Sequence, residues 1–357
     1  MRKKTNQPKP NKLLFSLVLS ALVLLGLFLL LYLDSYEMEQ PVSLPGDSTG
    51  LEVHYLDVGQ ADCILLQCDG ANMLIDGGNV EDSDLVVAYL LEQDVTVLDY
   101  VVNTHAHEDH VGGLPGVLAV FETKNVWCPV KVYGSKCFDD FVRYADQQYL
   151  ELVCPEPGST YALGSAEVTV LGPVKDDYDT NNSSIVLRVD YGETSFLFTG
   201  DAETQAENDI LETGMDVSAT VLKVGHHGSD TSSGYSWLRA VNADYAVIQV
   251  GEGNTYDHPH EKILSRLRDA DMTVYRTDLQ GHIVCYSDGL DVRFETVRSA
   301  PVTNPTAEPE VFIGNKNSKK FHLDSCSGLP QEENKVVFES YDDALEAGYE
   351  PCSRCIG

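Results

Sequence analysis

The sequence predicts an α/β chain: a four-layer αββα sandwich, with one membrane-type apolar helix before it and a small zinc-type cluster after it. Three observations carry this reading. Between residues 51 and 298, short apolar strands and helically spaced stretches recur in two successive halves, each half delivering His- or Asp-bearing turns. Residues 13–33 carry no charge and are almost wholly apolar. Near the C-terminus, His322 with Cys326 and Cys352 with Cys355 form two short-spaced pairs of metal-ligand type. The chain thus divides into a basic N-terminus (1–12), a transmembrane signal anchor (13–33), a stalk (34–50), the sandwich (51–298), a linker (299–310) and a small domain (311–357).

Arg2, Lys3, Lys4, Lys9 and Lys12 precede the apolar run, and Asp34, Glu37 and Glu39 follow it. About 20 apolar residues span a bilayer and the basic flank stays in the cytoplasm. A single-pass cell-membrane protein with its bulk outside the cytoplasm is therefore expected. A cleaved signal peptide is the rival reading, but Leu30-Leu31-Tyr32-Leu33-Asp34-Ser35-Tyr36 offers no convincing cleavage site. Pro41, Pro45, Gly46 and Gly50 make the next segment a stalk.

In the first half, residues 51–58 alternate as a strand, Gly59-Gln60-Ala61-Asp62 is a turn, and 63–66 and 72–76 are strands, the second closed by Gly77-Gly78. Residues 82–93 space Leu85, Val86, Tyr89 and Leu90 as a helix, and 98–103 form a further strand. In the second half, 167–171, 184–190 and 195–199 are strand-like, the last ending in Gly200-Asp201. A helix over 202–212, a strand over 219–224 that ends in Gly225-His226-His227-Gly228-Ser229, a strand over 245–250 and a helix over 259–269 complete it.

The first-half strand 98–103 delivers Asn103-Thr104-His105-Ala106-His107-Glu108-Asp109-His110-Val111-Gly112-Gly113, three imidazoles and two carboxylates within six positions. Residues two apart in an extended segment point the same way, so His105 and His107 can hold one ion. Asp109 and His110, at the turn into a helix, can reach a second. This stretch resembles the signature of the metallo-β-lactamase-fold hydrolases, which are dinuclear metal enzymes. The resemblance implies that Asp201 is a bridging ligand, where the residue alone reads equally as a helix N-cap. It implies that one of His226 and His227 binds metal while the other faces substrate, and His226 is the expected ligand. Many members place a ligand histidine between the loop and the bridging Asp, whereas this sequence has no histidine from 111 to 225. Asp257-His258-Pro259-His260 offers His258 as the replacement.

Leu56-Asp57-Val58-Gly59-Gln60-Ala61-Asp62, Ile75-Asp76-Gly77-Gly78, Asn181-Asn182-Ser183-Ser184-Ile185-Val186-Leu187, Lys223-Val224-Gly225-His226-His227-Gly228-Ser229 and Thr277-Asp278-Leu279-Gln280-Gly281 together resemble the hydrolase domain of ComEC-type DNA-uptake proteins. That family carries a polytopic channel; this sequence has one membrane-type segment and is not expected to form the pore. The resemblance implies phosphodiester hydrolysis, with DNA as the family's proposed substrate. Two divalent cations, zinc or manganese, would turn a water between them into a hydroxide at neutral pH. Asp109 would orient it, Lys223 would contact the phosphate, and a metal-bound water or His227 would protonate the leaving oxygen. Asp57 and Asp62 are expected to orient ligand histidines or form turns; Asn181, Asn182 and Ser184 either donate to a phosphate or are simply a polar loop.

Charge qualifies the substrate. The chain carries a net −32, and residues 51–300 hold 14 Lys plus Arg against 42 Asp plus Glu. Such a surface repels a polyanion, so extended sequence-independent DNA binding is not what composition favours. A smaller phosphodiester, such as a choline-phosphate or cell-wall ester, is the alternative substrate. A third possibility is a non-catalytic surface module that binds DNA through its tail.

In the tail, His322, Cys326, Cys352 and Cys355 predict one structural zinc, with disulfides as the alternative outside the cytoplasm. The segment resembles the Ada metal-binding domain, with His322 where that family has its methyl-accepting cysteine. Zinc binding is therefore implied and methyl transfer is not. A domain of this size buries little apolar surface, so metal would supply much of its folding free energy.

Overall fold

In the computed structural model, residues 50–300, 311–324 and 326–356 are described. The apolar run at 13–33 and its flanks lie outside them. Among the described residues no helix is long and apolar enough to cross a membrane.

The first half runs β1 (Leu51–Tyr55), β2 (Ile64–Cys68), β3 (Ala71–Ile75), α1 (Ser83–Glu92), β4 (Val97–Val102), α2 (Glu108–Val111), α3 (Leu114–Val120), β5 (Glu122–Trp127), α4 (Lys136–Gln147) and β6 (Leu152–Val153). The second half runs β7 (Thr160–Leu163), β8 (Ala166–Gly172), β9 (Val186–Tyr191), β10 (Thr194–Phe198), α5 (Thr204–Thr213), β11 (Val221–Lys223), α6 (Tyr235–Val241), β12 (Tyr245–Ile248), α7 (Glu261–Asp269), β13 (Thr273–Arg276) and α8 (Thr277–Gln280). β14 (Ile283–Ser287) and β15 (Val292–Thr296) then return to the first sheet, whose order is β15-β14-β1-β2-β3-β4-β5-β6. The second sheet is β13-β12-β11-β10-β9-β8-β7.

Strand alternation divides the apolar residues among three layers. In β10, Phe196 and Phe198 enter the core between the sheets with Val53, Tyr55, Ile64 and Val168, while Leu197 faces the helices. The outer face of the first sheet buries Leu65, Leu74 and Val101 against Val86, Leu90, Val117 and Phe141 of its helices. The outer face of the second buries Leu197 and Leu222 against Ile210, Trp237 and Leu267. This is the αββα arrangement expected from the sequence. The parallel runs β3-β4-β5 and β10-β11-β12 align strand ends, Ile75 beside Val102 and Phe198 beside Lys223, so their following turns meet at one edge.

α5 begins two residues later than expected. Asn182 Oδ1 accepts from Glu203 N at 3.2 Å and Ala206 N at 3.1 Å, so Asn182 serves the start of this helix. Asp201 is thereby free of the cap role.

The small domain comprises β16 (Phe312–Asn315), β17 (Lys320–Leu323), β18 (Lys335–Phe338), α9 (Tyr341–Glu346) and β19 (Glu350–Pro351), in sheet order β18-β16-β17-β19. Tyr235 of α6 joins its core, stacked on Tyr341 at 5.2 Å and edge-on to Phe312 at 4.9 Å. Arg239 pairs with Asp342 alongside.

Candidate metal centre

β4 ends at Val102 and the following loop carries His105 and His107 to the cleft before α2 presents Asp109 and His110. The turn is held from β3: Asp76 Oδ1 accepts from Thr104 N at 2.7 Å, and Oδ2 accepts from Thr104 Oγ1 at 2.6 Å and lies 2.8 Å from His110 Nδ1. Two glycine positions permit the close packing. A Cβ on Gly113 would lie 2.0 Å from Gly77 O, and Gly200, at φ +51, lies against Thr104 just before Asp201.

His226 and His227 both adopt left-handed backbone, φ 50 and 53. Such conformations are uncommon for non-glycine residues and gather at functional sites. Here they turn adjacent rings toward different oxygens of Asp201. His227 Nε2 lies 3.7 Å from Oδ1 and 3.3 Å from Asp109 Oδ2; His226 Nε2 lies 3.6 Å from Oδ2. His110 Nε2 is 3.4 Å from Asp201 Oδ1, and His105 Nε2 is 3.8 Å from Oδ2 and 3.0 Å from His107 Nδ1.

Asp109, His110, Asp201 and His227 each offer one ligand atom within 4.8 Å of the others. His110 Nε2, His227 Nε2 and Asp201 Oδ1 are buried and have no hydrogen-bond partner. Buried polar atoms are normally satisfied, so three convergent orphans of ligand type fit a cation. Electrostatics agree. Burial opposes ionising Asp201, but His110 and His227 outweigh it and hold its carboxyl well below the usual range. Burial likewise opposes charge on His227, yet Asp201 and Asp62 push it up to about 10. Burial and then His110 hold His105 well below the ordinary histidine value. A divalent cation would supply the positive charge these buried carboxylates draw to the site, and its binding would be accompanied by proton release from the histidines.

Two expected roles change. Lys223 is fully buried, 2.7 Å from Asp62 Oδ2, and donates to Val224 O at 2.9 Å. It does not line the cleft, because Asp62 from the β1–β2 turn draws its ammonium inward. Asp62 Oδ1 lies 3.2 Å from His227 Nδ1, so Lys223 acts on the histidine through that carboxylate. His227, expected as the proton donor to the leaving group, is buried with Nε2 inside the four-residue cluster. His226, expected as the ligand, is the more exposed of the pair and also borders Asp201.

His258 lines the same cleft, with its ring 5.8 Å from that of His226 and its Nδ1 3.2 Å from Gln60 Nε2. It joins no cluster of ligand atoms as close as that around Asp201. Ser184, once a candidate phosphate donor, is buried behind the site, its Oγ accepting from Asp201 N at 3.1 Å and 3.4 Å from His105 Nδ1. Sequence reading missed Glu203, whose Oε1 lies 3.4 Å from His226 Nδ1, and Tyr256 at the rim. Neither sits in a motif. The cleft measures about 780 Å³.

In the small domain, ligand atoms of His322, Cys326, Cys352 and Cys355 lie within 4.8 Å of one another. None of the nine cysteines is paired in a disulfide in the structure. Burial opposes the Cys352 thiolate, but backbone N–H of Arg354 and the Cys355 thiol outweigh it and lower its pKa.

Comparison with known proteins agrees with this geometry. The chain is 29% identical over 251 residues to ComE operon protein 3 of Bacillus subtilis (strain 168), covering 65% of this chain and 32% of that protein. It is 30% identical over 282 residues to Competence protein ComA of Neisseria gonorrhoeae, covering 76% and 38% respectively. The chain thus spans about a third of the length of these two relatives. Zinc phosphodiesterase ELAC protein 1 of Mus musculus is 30% identical over 100 residues, 27% of each chain. The family described as Metallo-beta-lactamase superfamily matches residues 56–252, and Metal binding domain of Ada matches residues 297–356. With its His/Asp cluster of metal-ligand type at the meeting strand ends, the chain belongs to the metallo-beta-lactamase superfamily and carries an Ada-like metal-binding domain.

Proposed function

We propose that the protein is a phosphodiesterase that cleaves nucleic acid outside the cytoplasmic membrane, anchored through residues 13–33. The observation that carries the chemistry is the convergence of His110 Nε2, His227 Nε2 and Asp201 Oδ1, buried and unsatisfied, at the floor of an open cleft. Kinship with competence proteins and a zinc phosphodiesterase supports the substrate class. The uncharged run at 13–33 and its basic flank support the anchor.

Asp109, His110, His227 and Asp201 Oδ1 would hold one divalent cation, zinc or manganese, and His105, His107, His226 and Asp201 Oδ2 a second. Such cations lower the pKa of a water and stabilise charge on phosphoryl oxygens. Asp76 orients His110 through its Nδ1, and His227 Nδ1 is held by the Gln249 carbonyl at 3.1 Å with the Asp62 carboxylate beside it at 3.2 Å. Of the two cluster carboxylates that line the cleft, Asp109 is the more open, its side chain 32% exposed against 3% for Asp201, and it would orient the attacking water. His322, Cys326, Cys352 and Cys355 would hold a structural zinc.

A small phosphodiester is the second reading, favoured by the absence of Lys and Arg from the cleft lining. The test incubates the metal-loaded whole chain with labelled DNA and with a choline phosphodiester, beside His107→Ala. DNA cleavage lost in the variant is the expected result; turnover of the small ester alone overturns the nucleic-acid reading.

A further inference from the structure

Tyr256 is an exposed ring on the wall of the catalytic cleft, with 65% of its surface open. It stacks on His258 at 5.6 Å and 27°, and His258 in turn meets His226 edge-on at 5.8 Å. Two ring contacts therefore separate it from the histidines around Asp201. Its loop is pinned: Asn254 Oδ1 accepts from Tyr256 N at 3.1 Å and His258 N at 3.0 Å, and Asn254 Nδ2 donates to Gly251 O at 3.0 Å. A solvent-facing ring on a fixed loop is a preorganised stacking surface.

Charge says what the cleft cannot use. Among the described residues no Lys or Arg lines the cleft, whereas Asp57, Glu81, Asp82 and Glu108 all face it. Asp57 is paired with Arg298 at 3.2 Å; among the described residues Glu81, Asp82 and Glu108 have no cationic partner. Away from the proposed cations, flanking phosphates of a strand would find no Lys or Arg on the cleft lining among the described residues. A nucleobase is neutral, and stacking is indifferent to sequence.

We infer that Tyr256 is the specificity residue of this site, stacking one unpaired nucleobase so that the strand is gripped by a base rather than by its backbone. The inference rests on the nucleic-acid reading above. A base inside a duplex already has both faces covered, so only a single-stranded or frayed position can use the ring. The grip is uncharged and the cleft mouth is acidic, so added salt screens repulsion instead of competing with an attraction.

The test uses the metal-loaded whole chain on a single-stranded oligonucleotide, on an abasic strand of equal length, and on a choline phosphodiester. Tyr256→Ala is expected to raise KM for the base-bearing strand about tenfold, to leave the abasic strand unaffected, and to be rescued by Tyr256→Trp. Raising NaCl from about 50 to about 200 mM is expected to hold or increase kcat/KM, where cation-mediated binding would lose orders of magnitude. Equal cleavage of both strands with no effect of Tyr256→Ala overturns this inference and leaves the nucleic-acid reading standing. So does a steep loss of kcat/KM with salt. Tyr256-dependent turnover of the choline ester, with neither strand cleaved, overturns both and assigns the ring to a cation.

Discussion

His110 Nδ1 lies 2.8 Å from Asp76 Oδ2, and this contact leaves the opposite nitrogen of the ring aimed at Asp201. Asp76 also takes both Thr104 N and Thr104 Oγ1, so one carboxylate sets the strand end and the ring together. Removing such a partner usually weakens metal affinity about 10- to 100-fold. Asp76→Asn is expected to do so, read by competition with a chromogenic chelator. Unchanged affinity would reduce Asp76 to a turn residue.

Asp201 offers one oxygen to each side of the cluster. Asp201→Ala is expected to empty the hydrolase centre while the small domain keeps its ion; Cys352→Ser is expected to do the reverse. Elemental analysis of the purified variants reads both. Retention of hydrolase metal by Asp201→Ala would remove Asp201 from the ligand set.

Lys223 and Asp62 are both almost wholly buried. Breaking a buried ion pair by removing one partner typically destabilises by about 3–5 kcal/mol, because the other charge stays behind. Lys223→Met is expected to lower the urea-unfolding free energy by about that amount, and Asp62→Asn combined with Lys223→Met to restore part of it. Additive losses in the double variant would show that the two charges do not act as a pair.

Glu207 in α5 is buried, with Oε1 2.5 Å from Ser233 N and Oε2 3.0 Å from Gly234 N. Burial raises its pKa from 4.5 to about 7, Glu203 adds to the rise, and the two N–H groups and Arg266 oppose it. The folded state binds this proton more tightly than the unfolded chain, so the associated stability is complete below pH 4.5 and is lost as pH rises toward about 7. The shift corresponds to about 3 kcal/mol. The difference in stability between the parent and Glu207→Gln is expected to vary by that order across this window. A constant difference would contradict the raised pKa.

Much of this was legible locally. Alternation in Thr194–Phe198 marks a strand with two buried faces, and the spacing of His105, His107, Asp109 and His110 marks ligands, because both signals lie within a few residues. What failed depends on distant partners or on backbone angles. Alternation put Lys223 on a face of β11 but could not show that Asp62, from the other sheet, neutralises it. The division of labour between His226 and His227 follows from two consecutive left-handed residues, which no side-chain pattern encodes. Tyr256 stands alone in a loop, and only the meeting of strand ends places it beside the metal ligands.

The pairing of β1 with β14 bears on how the molecule is made. Leu51 lies opposite Ser287, so β1 keeps an unsatisfied edge until a partner 236 residues further along the chain has been synthesised. Contacts of such sequence separation form slowly, because loop closure must precede any gain. A chain emerging from its N-terminus presents His105, His107, Asp109 and His110 well before Asp201, His226 and His227 exist. An early-captured ion would be held by half its ligands on an unclosed sheet. The histidine loop of the first half therefore waits for the turns after β10 and β11 before the cluster around Asp201 can assemble.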